Sequence, residues 1–388
     1  MVRALLLVIE LAILVLIAYN LAVALAGWKN PAPREKGISR PPFVVVIPAF
    51  NEERVIRRPL ADLRPQLSPG DELWVLADRC TDATAAVARS AGAAVAERTE
   101  GPDGKGPVLS WFIAKRPIVA GEALVVIDAD NRVPPNLLDR FAAELEGGHH
   151  VLQAYLDVSN PEESALAAAS ALSYWASNRM VQLARTNLGW TADLGGTGMC
   201  LTAEALRAAG GFGASLVEDQ ELGVRSFLAG YPVRWLHDVK VADEKPSTAG
   251  IAIRQRSRWT SGRRQVARRW FARVASNRQP GSIDLALRLV QPSRMGIALL
   301  SALLAIASGL GVPLLPWSVW AAAALVQLLA PLPFLIRDRV PLRYLRNYPL
   351  LALLPVLKIS GRLRRNREWY HTPHGLSDVG ADGPGRTE

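Results

Sequence analysis

A long apolar run opens the chain: from Ala4 to Trp28 only Glu10 and Asn20 are strongly polar. About 20 such residues in a helix cross the hydrocarbon core of a bilayer, so whatever folds behind this stretch is expected to be tethered to a membrane. Glu10 costs roughly 3 kcal/mol in that setting and is expected to face another helix or to lie near the outer interface. A cleaved signal peptide is the alternative, because Arg3 precedes the run and Ala24-Leu25-Ala26 resembles a cleavage site.

Lys29, Arg34, Lys36 and Arg40 follow the run against Arg3 alone before it, which puts the N-terminus outside and the main domain in the cytoplasm. Two further apolar spans, Met295 to Leu315 and Trp317 to Ile336, surround a short turn with Pro313 and Pro316 and lead into the basic stretch Arg337 to Arg346. Tyr348 to Ser360 is too short to span and is followed by four arginines, as in an interfacial helix. These features divide the chain into a membrane helix (1–28), a cytoplasmic catalytic domain (29–250), a basic amphipathic interfacial region (251–290), two membrane helices (291–336) and an interfacial helix with a basic tail (337–388). The net charge of +10 clusters beside the apolar segments, where anionic lipid headgroups are nearer partners than nucleic acid. Cys80 and Cys200 lack metal-ligand spacing and are expected to be free thiols.

Between the membrane segments, short valine-rich runs alternate with helix-compatible sequence: Phe43 to Pro48, Leu73 to Ala77, Ala93 to Ala96 and Leu124 to Ile127. Such alternation implies an α/β fold with a parallel sheet covered by helices on both faces. Ligands of such sheets bind beyond the carboxyl ends of the strands, where this chain carries Asn51 and Glu52, Asp78, and the pair Asp128 and Asp130. Two carboxylates one residue apart repel unless a cation lies between them, and magnesium or manganese suits oxygen ligands joined by phosphate; short acidic pairs also occur in plain turns. Asp82 fits a helix N-cap.

Seven motifs in register, VVVIPAFNEE (Val44 to Glu53), DRCTDAT (from Asp78), DGKG (from Asp103), DAD (from Asp128), GTGMC (from Gly196), EDQELGVR (from Glu218) and QRSRW (from Gln255), resemble family 2 glycosyltransferases. The resemblance covers about Pro42 to Trp259 and extends to the membrane segments of the subgroup containing cellulose, chitin and hyaluronan synthases and ceramide glucosyltransferases. It implies a GT-A (Rossmann-like) fold, a nucleotide-sugar donor, usually a UDP-sugar, magnesium or manganese, and inversion at the anomeric carbon. By the same resemblance, Asp78 contacts the uridine base, Asp128 lies near the ribose and diphosphate, Asp130 is the metal ligand, and Lys105, Gln255 and Arg258 serve the donor. Asp219 matches the general base, with Glu218 beside it on the acceptor side as the alternative base. Gly196, Thr197 and Trp259 match acceptor contacts, and Glu368 to His374 is similar to a Trp-x-x-Thr-Pro segment that follows the last membrane helix in relatives.

Read without the resemblance, Asp219 equally suits an N-cap for a helix over Gln220 to Ala229, and the glycines suit any tight turn before a strand at Met199 to Thr202. Trp259, Val266, Trp270 and Val274 recur at helical spacing among eight arginines from Arg254 to Arg273, the pattern of a basic amphipathic helix at a membrane. Three spans are few for a self-sufficient secretion channel. The expected activity is therefore transfer to a lipid-linked or membrane-associated acceptor at the plasma or inner membrane. The alternatives are a processive polysaccharide synthase working as a homo-oligomer or with a partner channel, and a catalytically inactive membrane scaffold.

Overall fold

The computed structural model describes residues 2–30, 39–246 and 248–353. The Glu368 to His374 segment and most of Tyr348 to Ser360 lie outside the described residues; Tyr348–Leu353 forms a short 3-10 helix.

The apolar opening run is one helix, α1 (Val2–Leu25). The catalytic region then alternates as the valine-rich runs predict: β1 (Phe43–Ala49), α2 (Arg57–Leu63), β2 (Glu72–Asp78), α3 (Thr84–Ser90), β3 (Ala94–Arg98), α4 (Lys105–Lys115), β4 (Ala123–Val126) and α5 (Leu137–Glu146). β5 (Val151–Val158), α6 (Ala165–Ser177), α7 (Ala184–Asn187), β6 (Met199–Thr202), α8 (Ala203–Ala208), α9 (Glu218–Leu228) and β7 (Val233–Asp243) complete it. Beyond these come α10 (Ala249–Ala275), α11 (Ser282–Val290), α12 (Arg294–Gly309), α13 (Trp317–Leu329) and α14 (Pro331–Arg337).

Seven strands form one sheet in the order β3-β2-β1-β4-β6-β5-β7. The expected parallel sheet holds for β1 to β4, whereas β6 runs antiparallel to both β4 and β5. The sheet is therefore mixed. Every residue of β1 except Pro48 is buried, because both of its faces are covered. Phe43, Val45 and Ile47 pack with Leu60, Leu137 and Phe141, while Val44 and Val46 pack with Leu109, Phe112 and Leu222. Burial of each such side chain stabilises the fold by about 1.5–3 kcal/mol, and the two-sided burial holds the carboxyl ends of β1, β2 and β4 side by side.

Among the described residues two helices are long and apolar enough to cross a membrane, Arg3–Trp28 and Trp317–Arg337. The third expected span, Met295 to Leu315, is not one straight helix. α12 stops at Gly309, and Gly311, at φ +92°, and Pro313 follow, so helical backbone cannot continue. Its 16 residues reach about 24 Å at 1.5 Å per residue, and it reaches membrane length only with α11, from which it bends by 62°. Glu10 does face another helix: one carboxylate oxygen accepts from Trp320 Nε1 at 3.0 Å and from the Leu315 N–H at 2.8 Å.

Candidate active site

The chain turns sharply where each central strand ends, and the sharp turns deliver the polar groups. After β1, Asn51 adopts φ +55°, and its amide oxygen accepts from the Thr81 N–H at 2.8 Å, joining the loops that follow β1 and β2. Asp82 accepts from the Thr84 N–H at 3.0 Å, the cap-like role expected of it, although helical geometry starts two residues later than the acid itself.

Asp78, the last residue of β2, is buried and held by Arg98 Nε at 2.6 Å and Arg79 Nη2 at 2.8 Å. Burial pushes its carboxyl up, but the two arginines outweigh burial and hold it below the ordinary range. Its carboxylate thus enters the cleft as part of an ion-paired cluster. Arg98 carries no motif signal in the sequence.

Lys105 opens α4, and its ammonium group bonds the Asp128 carboxylate and, at 2.7 Å, the Gly196 carbonyl. Burial lowers its proton affinity, yet the charges of Asp128, Glu218 and Asp219 more than compensate and raise it. Gly196 has φ +85°, and a Cβ built on it would lie 3.3 Å from Asp219 Oδ2 and 3.9 Å from Lys105 Nζ. Lys105, Asp128, Gly196 and Asp219 therefore meet at one point. Thr197 joins them from beneath: its hydroxyl accepts from the Asp128 N–H at 2.9 Å and donates to Asn131.

Glu218 and Asp219 form the first turn of α9, whose cap is Val217, so Asp219 is not the N-cap that spacing alone allows. Burial and the Asp219 charge raise the Glu218 carboxyl to about 7, against the pull of Lys105. Burial also raises Asp219, opposed by the Gln220 N–H, Lys105, Arg263 and Arg258. Arg258 and Gln255 are half-buried on α10, with the Arg258 charge facing both acids. Trp259 packs against Val217, Val266 and Trp270. The apolar stripe of α10 is thereby turned inward onto α9 and α11, which corrects the expectation that it meets the membrane; Val266, Trp270 and Val274 are all buried in that seam.

Asp130 is buried beside Asn131, which donates to it at 3.1 Å. Glu52 is driven up to about 9 by burial and by the charges of Asp130 and Asp128. Among the described residues no group of three or more His, Cys, Asp or Glu side chains is placed to hold a metal ion. A divalent cation completed by one or two carboxylates and donor phosphates needs no such group, and this excess of negative charge fits one. His237, a lone histidine with no motif around it, accepts from Trp235 Nε1 at 3.3 Å, stacks edge-on to Tyr155 and is lowered to about 4, chiefly by burial. Cys80 and Cys200 are free.

Sequence reasoning missed Gln153. Fully buried in β5, one residue before the point where the partner strand β7 bulges between Leu236 and Lys240, its amide donates to the carbonyls of Thr197 at 2.8 Å and Ala154 at 3.0 Å and accepts from the Gly195 N–H at 2.8 Å, clamping the glycine loop. A lone amide in the apolar run Val151 to Tyr155 was the available signal, since buried polar groups need partners.

A model of the family described as glycosyltransferase like family 2 matches residues 41–262. The chain is 28% identical over 251 residues to a beta-monoglucosyldiacylglycerol synthase of Synechocystis sp., covering 57% of this chain and 48% of that protein. It is 26% identical to glucomannan 4-beta-mannosyltransferase 2 of Arabidopsis thaliana, over 65% of this chain and 52% of that one. It thus spans about half the length of these curated relatives. A mannosyltransferase from Pyrobaculum calidifontis, solved in complex with GDP-Man and Mn2+, superposes with a TM-score of 0.63 over 94% of this chain and 99% of its own, at 19% identity. At that identity the likeness establishes a shared fold, the expected GT-A architecture.

Proposed function

The chain belongs to the glycosyltransferase like family 2, and from that premise we propose that it is a membrane-anchored inverting transferase moving a sugar from a nucleotide donor, a UDP-sugar in the first instance, to a lipid acceptor. The observation that carries this reading is the meeting of Lys105, Asp128, Gly196 and Asp219 at one point. Asp219 takes the proton of the acceptor hydroxyl as its oxygen attacks the anomeric carbon. The bond to the diphosphate breaks on the opposite face, and the configuration inverts. Lys105 and Arg258 offset the charge that builds on the departing diphosphate, where fixed cations lower the barrier most. Asp78, with its arginine partners, lines the nucleotide end; Gln255 borders the donor side; Glu218, Thr197 and Trp259 border the acceptor side. Asp130 would hold a magnesium or manganese ion, which when bound would add to the neutralisation of the leaving diphosphate.

The glycolipid synthase relative supports the lipid acceptor, the two membrane-length helices support an anchored enzyme, and the excess of Lys and Arg behind the first of them supports a catalytic domain on the cytoplasmic side. A processive synthase, alone as an oligomer or with a channel partner, is the second reading, favoured by the likeness to a glucomannan synthase. The test is turnover of UDP-glucose and GDP-mannose by the detergent-solubilised chain with membrane lipid extract, with divalent metal and then with chelator. Metal-dependent labelling of lipid, lost in Asp219→Asn, is expected. A ladder of polymer would favour the second reading, and full activity in Asp219→Asn would remove Asp219 from the base role.

A further inference from the structure

Arg288, on the short helix α11, ties the glycine loop to the membrane end of the molecule. Its guanidinium donates to the Thr191 carbonyl at 2.8 Å, to the Asp193 carboxylate, and to Asp284 Oδ2 at 3.0 Å. Asp284 in turn accepts from Arg185 at 2.8 and 2.9 Å and from the Tyr19 hydroxyl at 2.8 Å. Tyr19 belongs to α1, about 9 Å along the axis from Leu25 at 1.5 Å per residue, so the network lies at the depth where a membrane helix emerges. Two arginines face two carboxylates, and the charges balance.

The members are not equally enclosed. The Asp284 side chain is 1% exposed and Arg288 8%, whereas Asp193 is 41% exposed. Gln182 orients Asp193 from below, accepting from its N–H at 2.9 Å and donating to Oδ2 at 3.2 Å. Burial raises the Asp193 carboxyl, but Arg288 and Arg185 outweigh burial and keep it ionised, so its free lone pairs can only accept hydrogen bonds. Arg263, bonded to Gln220 at 3.1 Å, acts electrostatically on both Asp193 and Asp219, so both carboxylates lie within its range. Asp193 precedes Gly196 by three residues, at most about 10 Å of chain, and Gly196 abuts Asp219. A sugar or polyol headgroup can bridge that interval.

We infer that Asp193 is an acceptor-binding residue that receives a hydroxyl of the headgroup while another hydroxyl of the same headgroup reacts at Asp219, so that the acceptor is a lipid already carrying a sugar or polyol. The inference rests on the lipid-acceptor reading above. It is tested on the full chain with dioleoylglycerol and with β-glucosyl dioleoylglycerol in phosphatidylcholine vesicles, using UDP-glucose or GDP-mannose, whichever the wild-type protein hydrolyses. The wild type is expected to prefer the glucosyl lipid by about tenfold or more in kcat/KM, the scale of one hydrogen bond to a charged group. Asp193→Asn should abolish that preference by raising the KM for the glucosyl lipid, with the donor KM within about twofold of the wild type. Asp193→Glu keeps the charge opposite Arg288 and should show the same acceptor-KM defect in a protein that melts like the wild type. Equal losses with both lipids accompanied by a lower melting temperature, or a wild type that uses dioleoylglycerol as well as the glucosyl lipid, would overturn the assignment. Donor hydrolysis without transfer to either lipid also overturns it and leaves the donor-side reading standing, whereas no donor turnover at all removes that reading and this inference with it.

Discussion

Glu218 and Asp219 give the activity a pH dependence that can be worked out in advance. Both carboxyls are raised by burial, and Glu218 reaches about 7 from an ordinary 4.5 partly through the Asp219 charge. The pair takes up its first proton at about 7, where Glu218 titrates, and activity that uses Asp219 as the base is lost as the pH falls further. Glu218→Gln removes the neighbouring charge but not the burial. The two carboxylates repel each other, so removing the Glu218 charge lowers the Asp219 carboxyl. The acid limb of kcat/KM, which reports the free enzyme, should therefore move down in Glu218→Gln, so that in mild acid the variant keeps a larger share of its plateau than the wild type does. Lys105→Met should move the limb the other way. The stability sign is opposite to the activity sign: folded values above the unfolded ones mean that the pair costs stability above about 7 and that this cost vanishes below 4.5. Activity lost in mild acid must therefore occur with the fold intact by circular dichroism. An unmoved acid limb in Glu218→Gln would refute the coupling.

Three further outcomes follow from single contacts. Gly196→Ala places a methyl 3.3 Å from Asp219 Oδ2 at φ +85°; the left-handed backbone costs about 1–2 kcal/mol, and turnover should fall at least about tenfold with little change in donor affinity, as measured by kinetics and donor titration. Gln153→Leu strips the Gly195 N–H and the Thr197 carbonyl of a buried partner, at about 1–3 kcal/mol for each group, which denaturant unfolding should register together with a loss of kcat. Glu10→Leu leaves the Trp320 Nε1 and the Leu315 N–H without their acceptor and should lower the melting temperature in detergent, whereas Glu10→Gln, which keeps an acceptor oxygen, should not.

The donor side was legible because its signals are local. Each valine-rich run that reads as a strand is one, and the residues after it reach the cleft because a strand buried on both faces leaves its polar groups only at its end. Lys105 and Asp219 were found by motif; their meeting was not, since it depends on a loop from beyond β5 folding back over α4. β5 and β7 escaped the strand reading. β7 mixes Arg234, His237, Asp238 and Lys240 among its apolar residues and carries no clean two-residue period, while β5 holds Gln153 in its centre. Both are strands because neighbours across the sheet satisfy them, a tertiary effect that outweighs local propensity.

The acceptor side is hidden for a related reason. Its fixed points are pairs distant in sequence: Tyr19 with Asp284, 265 residues apart, Arg179 with Asp338, 159 apart, and Arg288 with Asp193, 95 apart. No period and no spacing announces them. Arg179 lies in a π-helical turn (Asn178–Leu183) directly after α6, with its side chain only 2% exposed, and it bonds both Asp338, at the end of α14, and the Gly27 carbonyl, at the end of α1. Breaking such a buried pair costs about 3–5 kcal/mol because the remaining charge stays buried. The ends of two membrane-length helices are thus held to the element that follows β5, and β5 carries the glutamine that clamps the glycine loop. The height of the glycine loop relative to the apolar helices is consequently fixed by the same contacts that hold the domain together, and under the proposed function those helices would do more than tether the chain: they would set where along the bilayer normal a headgroup must stand to reach Asp219.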